Sequence, residues 1–151
     1  MKIYLASSWR TFIQPHLLRQ LRDAGHEVYD FRNPAPGNTG FAWSNIDPDW
    51  RAWSPEEFRV ALAHPRAVEG FNLDMAALKW CEACVLLLPC GKSAHLELGY
   101  ACGAGKITVA HCWRPEEPEL MYRMLDSVTT NETELLEFLV IAEQSRKGGA
   151  K

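Results

Sequence analysis

The sequence predicts an α/β fold: a three-layer, doubly wound sheet of about five parallel strands with helices on both faces. Three observations carry that expectation. Short apolar runs alternate along the chain with stretches of helical periodicity. One run, residues 84–88, is apolar at nearly every position, which suits a central parallel strand covered on both sides. Turn-forming residues, Gly25 and Gly105 among them, separate the segments.

Taken in order, residues 2–7 read as a short apolar strand. Ile13, Leu17, Leu18 and Leu21 then recur at helical spacing and predict a helix over 13–24, with Gly25 where a helix C-terminus stops. Val28 and Asp30 alternate with Tyr29 and Phe31, which predicts a second strand over 27–31. A Pro- and Gly-rich stretch follows from 33 to 53. Ser54-Pro55-Glu56-Glu57 opens the next helix, with Ser54 as N-cap, Pro55 in the first turn and Glu57 closing a capping box. That helix is expected to end near His64-Pro65, and another is expected over 68–81.

The strand over 84–88 leads into a helix over 93–103. Gly105-Lys106 turns into a strand over 107–110. A helix is expected over 115–125, a short edge strand over 127–129, and a last helix from Asn131 or Thr133 to about Gln144. Residues 1–145 are read as a single domain and 146–151 as a flexible tail. Right-handed crossovers select the flavodoxin-like strand order 2-1-3-4-5. Ligands of such sheets bind beyond the carboxyl ends of the strands, near the switch between the first and third. Residues 6–10, 33–53 and 89–97 are thereby singled out.

With 151 residues, 47% hydrophobic and 23% charged, the chain has the composition of an ordinary globular domain. Its net charge of −3 gives no electrostatic case for binding nucleic acid. No apolar run approaches the ~20 residues needed to cross a bilayer, so no membrane partner is expected. The opening residues are too short an apolar stretch for a signal peptide. Five scattered cysteines argue against a disulfide framework and fit a reducing compartment, and the expectation is a cytoplasmic protein. Cys81 and Cys84 form a C-x-x-C pair, but at the end of a helix rather than its start, where a thiol is activated. They are read as buried and structural. No histidine cluster completes a zinc site with them, and His26, His64 and His111 are read as structural or exposed.

Pro89-Cys90-Gly91-Lys92-Ser93-Ala94-His95-Leu96-Glu97 is the most informative stretch. A small-residue turn runs from a buried strand into a helix, so free backbone N–H groups face the crevice and favour an anion. Ser93 and Glu97 lie four apart and share a helix face. On the residues alone, two readings of Glu97 stand side by side: a functional carboxylate in a largely buried helix, or a glutamate facing water near the helix start. Lys92 and His95 read either as anion ligands or as solvated side chains. The loop after the first strand, Ser7-Ser8-Trp9-Arg10, adds two hydroxyls, an aromatic ring and a cation that suits phosphate. Phe41, Trp43, Trp50 and Trp53 lie within residues 33–53, which read as a lid that stacks a base or as a packed surface loop. Asp47 and Asp49 share that lid. Trp80 and Trp113 are assigned to the core.

Ile3-Tyr4-Leu5-Ala6, Asn72-Leu73-Asp74 and Glu97-Leu98-Gly99-Tyr100-Ala101, in this order, resemble the nucleoside 2-deoxyribosyltransferase family. That family includes a branch of 2′-deoxynucleoside 5′-monophosphate N-hydrolases. The resemblance covers residues 2–109. It implies an N-glycosidase in which Glu97 is the nucleophile, Asp74 helps protonate the departing base and Tyr4 orients the nucleophile. It implies a nucleoside or nucleotide as substrate, no metal or organic cofactor, and a homo-oligomer, dimer or larger. Ser7, Ser8, Trp9, Arg10, Trp43, Gly91, Lys92 and Ser93 are the expected substrate contacts. The chain departs from the transferase branch at Gly91, where that branch carries an acidic residue; this counts against transfer and against that branch's mode of base recognition, while Lys92, Ser93 and His95 suit an anion such as a 5′-phosphate. Two further readings stay open: an NAD or ADP-ribosyl glycohydrolase, and a non-catalytic nucleotide-binding sensor or interaction module.

Overall fold

The computed structural model describes residues 1–148. The chain divides into two compact units. One comprises Met1–Tyr29 and the chain from Trp80 onward; the other is Asp30–Lys79.

The larger unit holds a parallel sheet of five strands: β1 (Lys2–Ala6), β2 (Glu27–Tyr29), β3 (Ala83–Leu87), β4 (Ile107–His111) and β5 (Ser127–Thr129). Their order is β2-β1-β3-β4-β5, the expected 2-1-3-4-5. Tyr4 stands opposite Cys84, and Ala6 opposite Leu86, across the β1–β3 seam. β3 and β4 are buried along their whole length; β3 is accordingly apolar on both faces, whereas β4 buries Thr108 and His111 with hydrogen-bond partners in Asp126 and Thr129.

One face of the sheet carries Ile3, Leu5, Val85 and Val109, packed against Leu17 and Leu21 of α1 (Gln14–Asp23) and Leu135 and Leu139 of α5 (Glu132–Gly148). The alternate residues, Tyr4 and Cys84 among them, point to the opposite face. There α4 (Lys92–Gly103) packs on β3, β4 and β1. Its buried positions are Ala94, Leu98 and Ala101, a stripe at helical spacing whose small members let the helix lie close.

Local signals behave as their chemistry requires. Gly25 takes the positive φ of 86° that ends α1. At the start of α5, Asn131 Oδ1 accepts the Glu134 amide at 3.0 Å. The Glu134 carboxylate in turn accepts the Thr130 amide at 2.7 Å, and Thr130 holds its pKa below the usual carboxylate range.

The smaller unit contains α2 (Pro55–Ala61) and most of α3 (Pro65–Trp80). Its capping box is as expected: the Glu57 amide donates to Ser54 Oγ at 3.2 Å, and the Ser54 amide donates to Glu57 at 2.7 Å. Residues 33–53 contain two 3₁₀ turns, Trp43–Asn45 and Trp50–Ala52. Gly70, inside α3, makes room for Phe41, since a Cβ there would lie 2.9 Å from the Phe41 Cβ.

Four expectations need correction. The region 115–125 is not an α-helix; only Leu120–Met124 coils, as a 3₁₀ turn. Pro118 has no amide to donate and restricts Glu117, and Glu119 then opens the turn by accepting the Met121 amide at 3.0 Å. The second strand stops at Tyr29 rather than Phe31. Asp30 diverts the chain there, its carboxylate accepting the Arg32 amide at 3.1 Å and Asn33 Nδ2 at 2.9 Å. α2 ends at Ala61 and α3 begins at Pro65, where proline suits a first helical position better than a last one. α5 continues to Gly148, with Arg146 donating to the carbonyls of Glu82 and Gly105. The rest of the expected tail, 149–151, lies outside the described residues.

Candidate functional site

In the larger unit, β1 and β3 are neighbours in the sheet although separated in sequence, so the loops leaving their carboxyl ends lie side by side. The loop after β1 carries Ser7, Ser8, Trp9 and Arg10; the loop after β3 runs through Pro89, Cys90 and Gly91 into α4. Thr11 joins them, its hydroxyl donating to the Pro89 carbonyl at 2.6 Å. Ser8 shapes the first loop, with Oγ accepting the Arg10 amide at 3.2 Å and its carbonyl accepting the Thr11 amide at 3.0 Å. Trp9 and Arg10 are exposed beyond that turn. Ser7 Oγ is buried and makes no hydrogen bond among the described residues, and such atoms in folded proteins call for an explanation.

Gly91 is the N-cap of α4 and offers no side-chain cap, so the first-turn amides are left without that partner. Lys92 and Ser93 follow, both exposed. Glu97 comes one turn after Ser93 and is partly buried. The expectation of a largely buried helix does not hold: Leu96 is 76% exposed, whereas Leu98 is buried. Residues two apart on a helix point to opposite sides, so two flanking leucines do not enclose a glutamate. The carboxylate nevertheless reaches the sheet electrostatically. Burial pushes the Cys84 thiol well above its usual range, and Cys81 and Glu97 push it the same way. The Cys90 thiol is pushed up to about 12, first by burial and then by Glu97 and Glu116. Since Tyr4 is the register partner of Cys84, Glu97 lies within reach of the seam where Tyr4 stands. Tyr4 itself is fully buried and stacks on Tyr29, the ring centroids 5.2 Å apart.

His95 is neither a free surface histidine nor available to an anion. Gly91 O is only an acceptor, so Nδ1 carries the proton and donates to it at 3.0 Å. In that tautomer Nε2 accepts the Tyr122 hydroxyl at 2.8 Å, and the two rings stack at 10°. Nothing in the sequence marked Tyr122 or Thr11 for these roles, because each acts through a carbonyl or ring remote in sequence.

In the smaller unit, Trp43 lies at the hub of an aromatic cluster. Phe41, Trp53 and Phe58 each meet it edge to face, with centroids 4.9, 5.7 and 5.8 Å away. Trp43, Trp50, Arg51, Trp53 and Phe58 line a cleft of about 490 Å³. Asp47 is structural: it accepts Trp53 Nε1 at 2.6 Å and the Asp49 amide at 2.9 Å. Asp74 is partly buried on α3. Tyr4, Ser7, Ser8, Trp9, Arg10, Gly91, Lys92, Ser93 and Glu97 thus belong to one unit, Trp43 and Asp74 to the other.

Cys81 and Cys84 form no disulfide and are buried, and burial raises both thiols rather than activating them. Among the described residues no group of histidines, cysteines and carboxylates is arranged to hold a metal ion. No helix among them is long and apolar enough to cross a membrane.

No family model matches the chain, and no curated protein matches it in sequence. Its fold is that of a 2-deoxyribosyltransferase from Bacillus psychrosaccharolyticus, with a TM-score of 0.58 at 22% identity over 90% of each chain. It is likewise that of a conserved protein from Enterococcus faecalis V583, with a TM-score of 0.58 at 16% identity over 91% of this chain and 95% of that one. A CMP N-glycosidase from Clostridium botulinum, BcmB, is a looser likeness, with a TM-score of 0.48 at 16% identity over 92% of this chain and 98% of the other.

Proposed function

We propose that the chain is an N-glycosidase of the nucleoside 2-deoxyribosyltransferase type, acting on a nucleoside or nucleoside 5′-monophosphate. The observation that carries this reading is the partly buried carboxylate of Glu97. It stands one turn into α4 and acts electrostatically on Cys84 at the β1–β3 seam, on the face of the sheet that Tyr4 shares. A shared fold with a 2-deoxyribosyltransferase supports it.

In this reading Glu97 attacks the anomeric carbon. The N-glycosidic bond breaks with its electron pair going to the base nitrogen, and a glycosyl ester forms on the enzyme. Asp74 gives the proton that the departing base takes up, and Tyr4 orients the nucleophile. Water then opens the ester, releasing the sugar and restoring the carboxylate; a second base in place of water gives transfer. Gly91 in place of an acidic residue favours water.

The uncapped amides at the start of α4, with Lys92 and Ser93, suit a 5′-phosphate. Ser7, with its buried unsatisfied hydroxyl, Ser8, Trp9 and Arg10 supply the facing loop. Trp43, in its aromatic cleft, offers a surface for the base. The protein is assigned to the cytoplasm as a homo-oligomer. The exposed apolar side chains Leu96, Leu120 and Met121 support a partner surface.

The test is a chromatographic screen for free base across common nucleosides, deoxynucleosides, their 5′-monophosphates and NAD. Base released from a nucleoside, a deoxynucleoside or one of their 5′-monophosphates supports the reading, and a second base added to the same reactions separates hydrolysis from transfer. No release from any of them overturns it.

A further inference from the structure

The turn that carries Gly91, Lys92 and Ser93 has two tethers of different kinds. Thr11 holds its beginning, at the Pro89 carbonyl. Its end is held by a side chain from α4 itself: His95 Nδ1 donates back to the Gly91 carbonyl at 3.0 Å, with Cys90 Sγ 3.4 Å from the same nitrogen. A ring alone can rotate away from such a contact. Tyr122 prevents it, by a 2.8 Å hydroxyl bond to Nε2 and by stacking at a centroid distance of 5.9 Å. Burial pushes the Tyr122 hydroxyl up to about 12, with the Glu119 and Glu116 carboxylates adding to it, so it keeps the proton it donates. The Cys90 thiol likewise stays neutral beside the ring. The peptide joining Gly91 to Lys92 has its carbonyl fixed on one side, which fixes the direction of the Lys92 amide on the other. Gly91 has no side chain to do this from the N-cap position, and its carbonyl, which opens the helical ladder of α4, takes the His95 ring as a further donor.

We infer that His95, braced by Tyr122, is a positioning residue that sets preference for a phosphorylated over an unphosphorylated nucleoside. It does so by holding the Gly91–Lys92 peptide so that the first amides of α4 face the phosphate. The inference rests on the reading above that this turn receives the substrate's 5′-phosphate. It adds two residues that touch no reacting atom, and it makes selectivity, rather than chemistry, the property they control.

The experiment is calorimetric titration of the whole protein with the common deoxynucleoside 5′-monophosphates and the matching nucleosides, without regard to turnover. His95→Ala is expected to weaken monophosphate binding about tenfold and leave nucleoside binding unchanged, a loss in keeping with one or two ordered hydrogen bonds to an anion. Tyr122→Phe, which keeps the stacked ring and removes the hydroxyl, is expected to give a smaller loss in the same direction. His95→Asn places an amide donor near the Nδ1 position and is expected to recover most of the affinity. Equal losses for both ligand types, no loss, or a wild type that binds monophosphates no better than nucleosides would overturn the inference. Base release, measured separately, distinguishes the two proposals: selective binding without release removes the glycosidase reading and leaves this one standing.

Discussion

Thr11 and Pro89 are far apart in sequence, yet the Thr11 hydroxyl reaches the Pro89 carbonyl at 2.6 Å and ties the loop after β1 to the loop after β3. The threonine is 3% exposed, so its bond is made away from water. Thr11→Val keeps the shape and leaves the carbonyl without this donor. The expected cost is about 1–2 kcal/mol of stability in urea unfolding. A weaker affinity for substrate is expected alongside, because the two loops then move independently.

Two histidines give the stability a pH dependence of definite sign. Burial lowers the pKa of His111 from the ordinary 6.5, opposed by Glu132 and Glu134, and burial together with the N-terminal ammonium lowers that of His26. In the unfolded chain each takes up its proton at the ordinary value, so the unfolded state binds more protons between the lowered and the ordinary pKa. Stability is therefore full above about pH 6.5 and declines as the pH falls through the window below it. Urea midpoints between pH 7.5 and 5 are expected to fall. His111→Gln, which has nothing to titrate, is expected to flatten that decline, and an unchanged slope would assign it elsewhere.

The thiols offer a contrast between sequence pattern and chemistry. Cys81 and Cys84 have the spacing of a redox pair, but both are buried and both are raised by burial. Iodoacetamide at neutral pH is expected to leave both unlabelled in the folded protein and to label all five cysteines after denaturation. Rapid labelling of Cys84 in the folded state would contradict the packing of β3.

How far the sequence foretells this structure depends on where the information lies. The sheet order was legible from the alternation of strands and helices with right-handed crossovers, and the helix start at Ser54, with Asn131 as one of two candidates for the last helix, from local capping chemistry. The helix expected over 115–125 left out of account Pro118, which decides against one before Leu120. Glu97 was legible as a candidate through its position after β3, but its degree of burial was not. Leu96 and Leu98 flank it in sequence and lie on different sides of α4. The bonds that hold the site loops, Thr11 to Pro89 and His95 to Tyr122, are tertiary and leave no periodic trace. The Tyr4–Cys84 register follows from strand order only once the chain is folded.

The central claim is that Glu97 forms a covalent ester with the sugar of its substrate. The most direct measurement is rapid acid quench of enzyme with an active substrate from the base-release screen, followed by peptide mass analysis, with Glu97→Ala in parallel. The expected result is a peptide containing Glu97 heavier by one sugar residue, and loss of base release in the variant by about three orders of magnitude or more. An unmodified Glu97 peptide during turnover, together with near-wild-type release by Glu97→Ala, would contradict it.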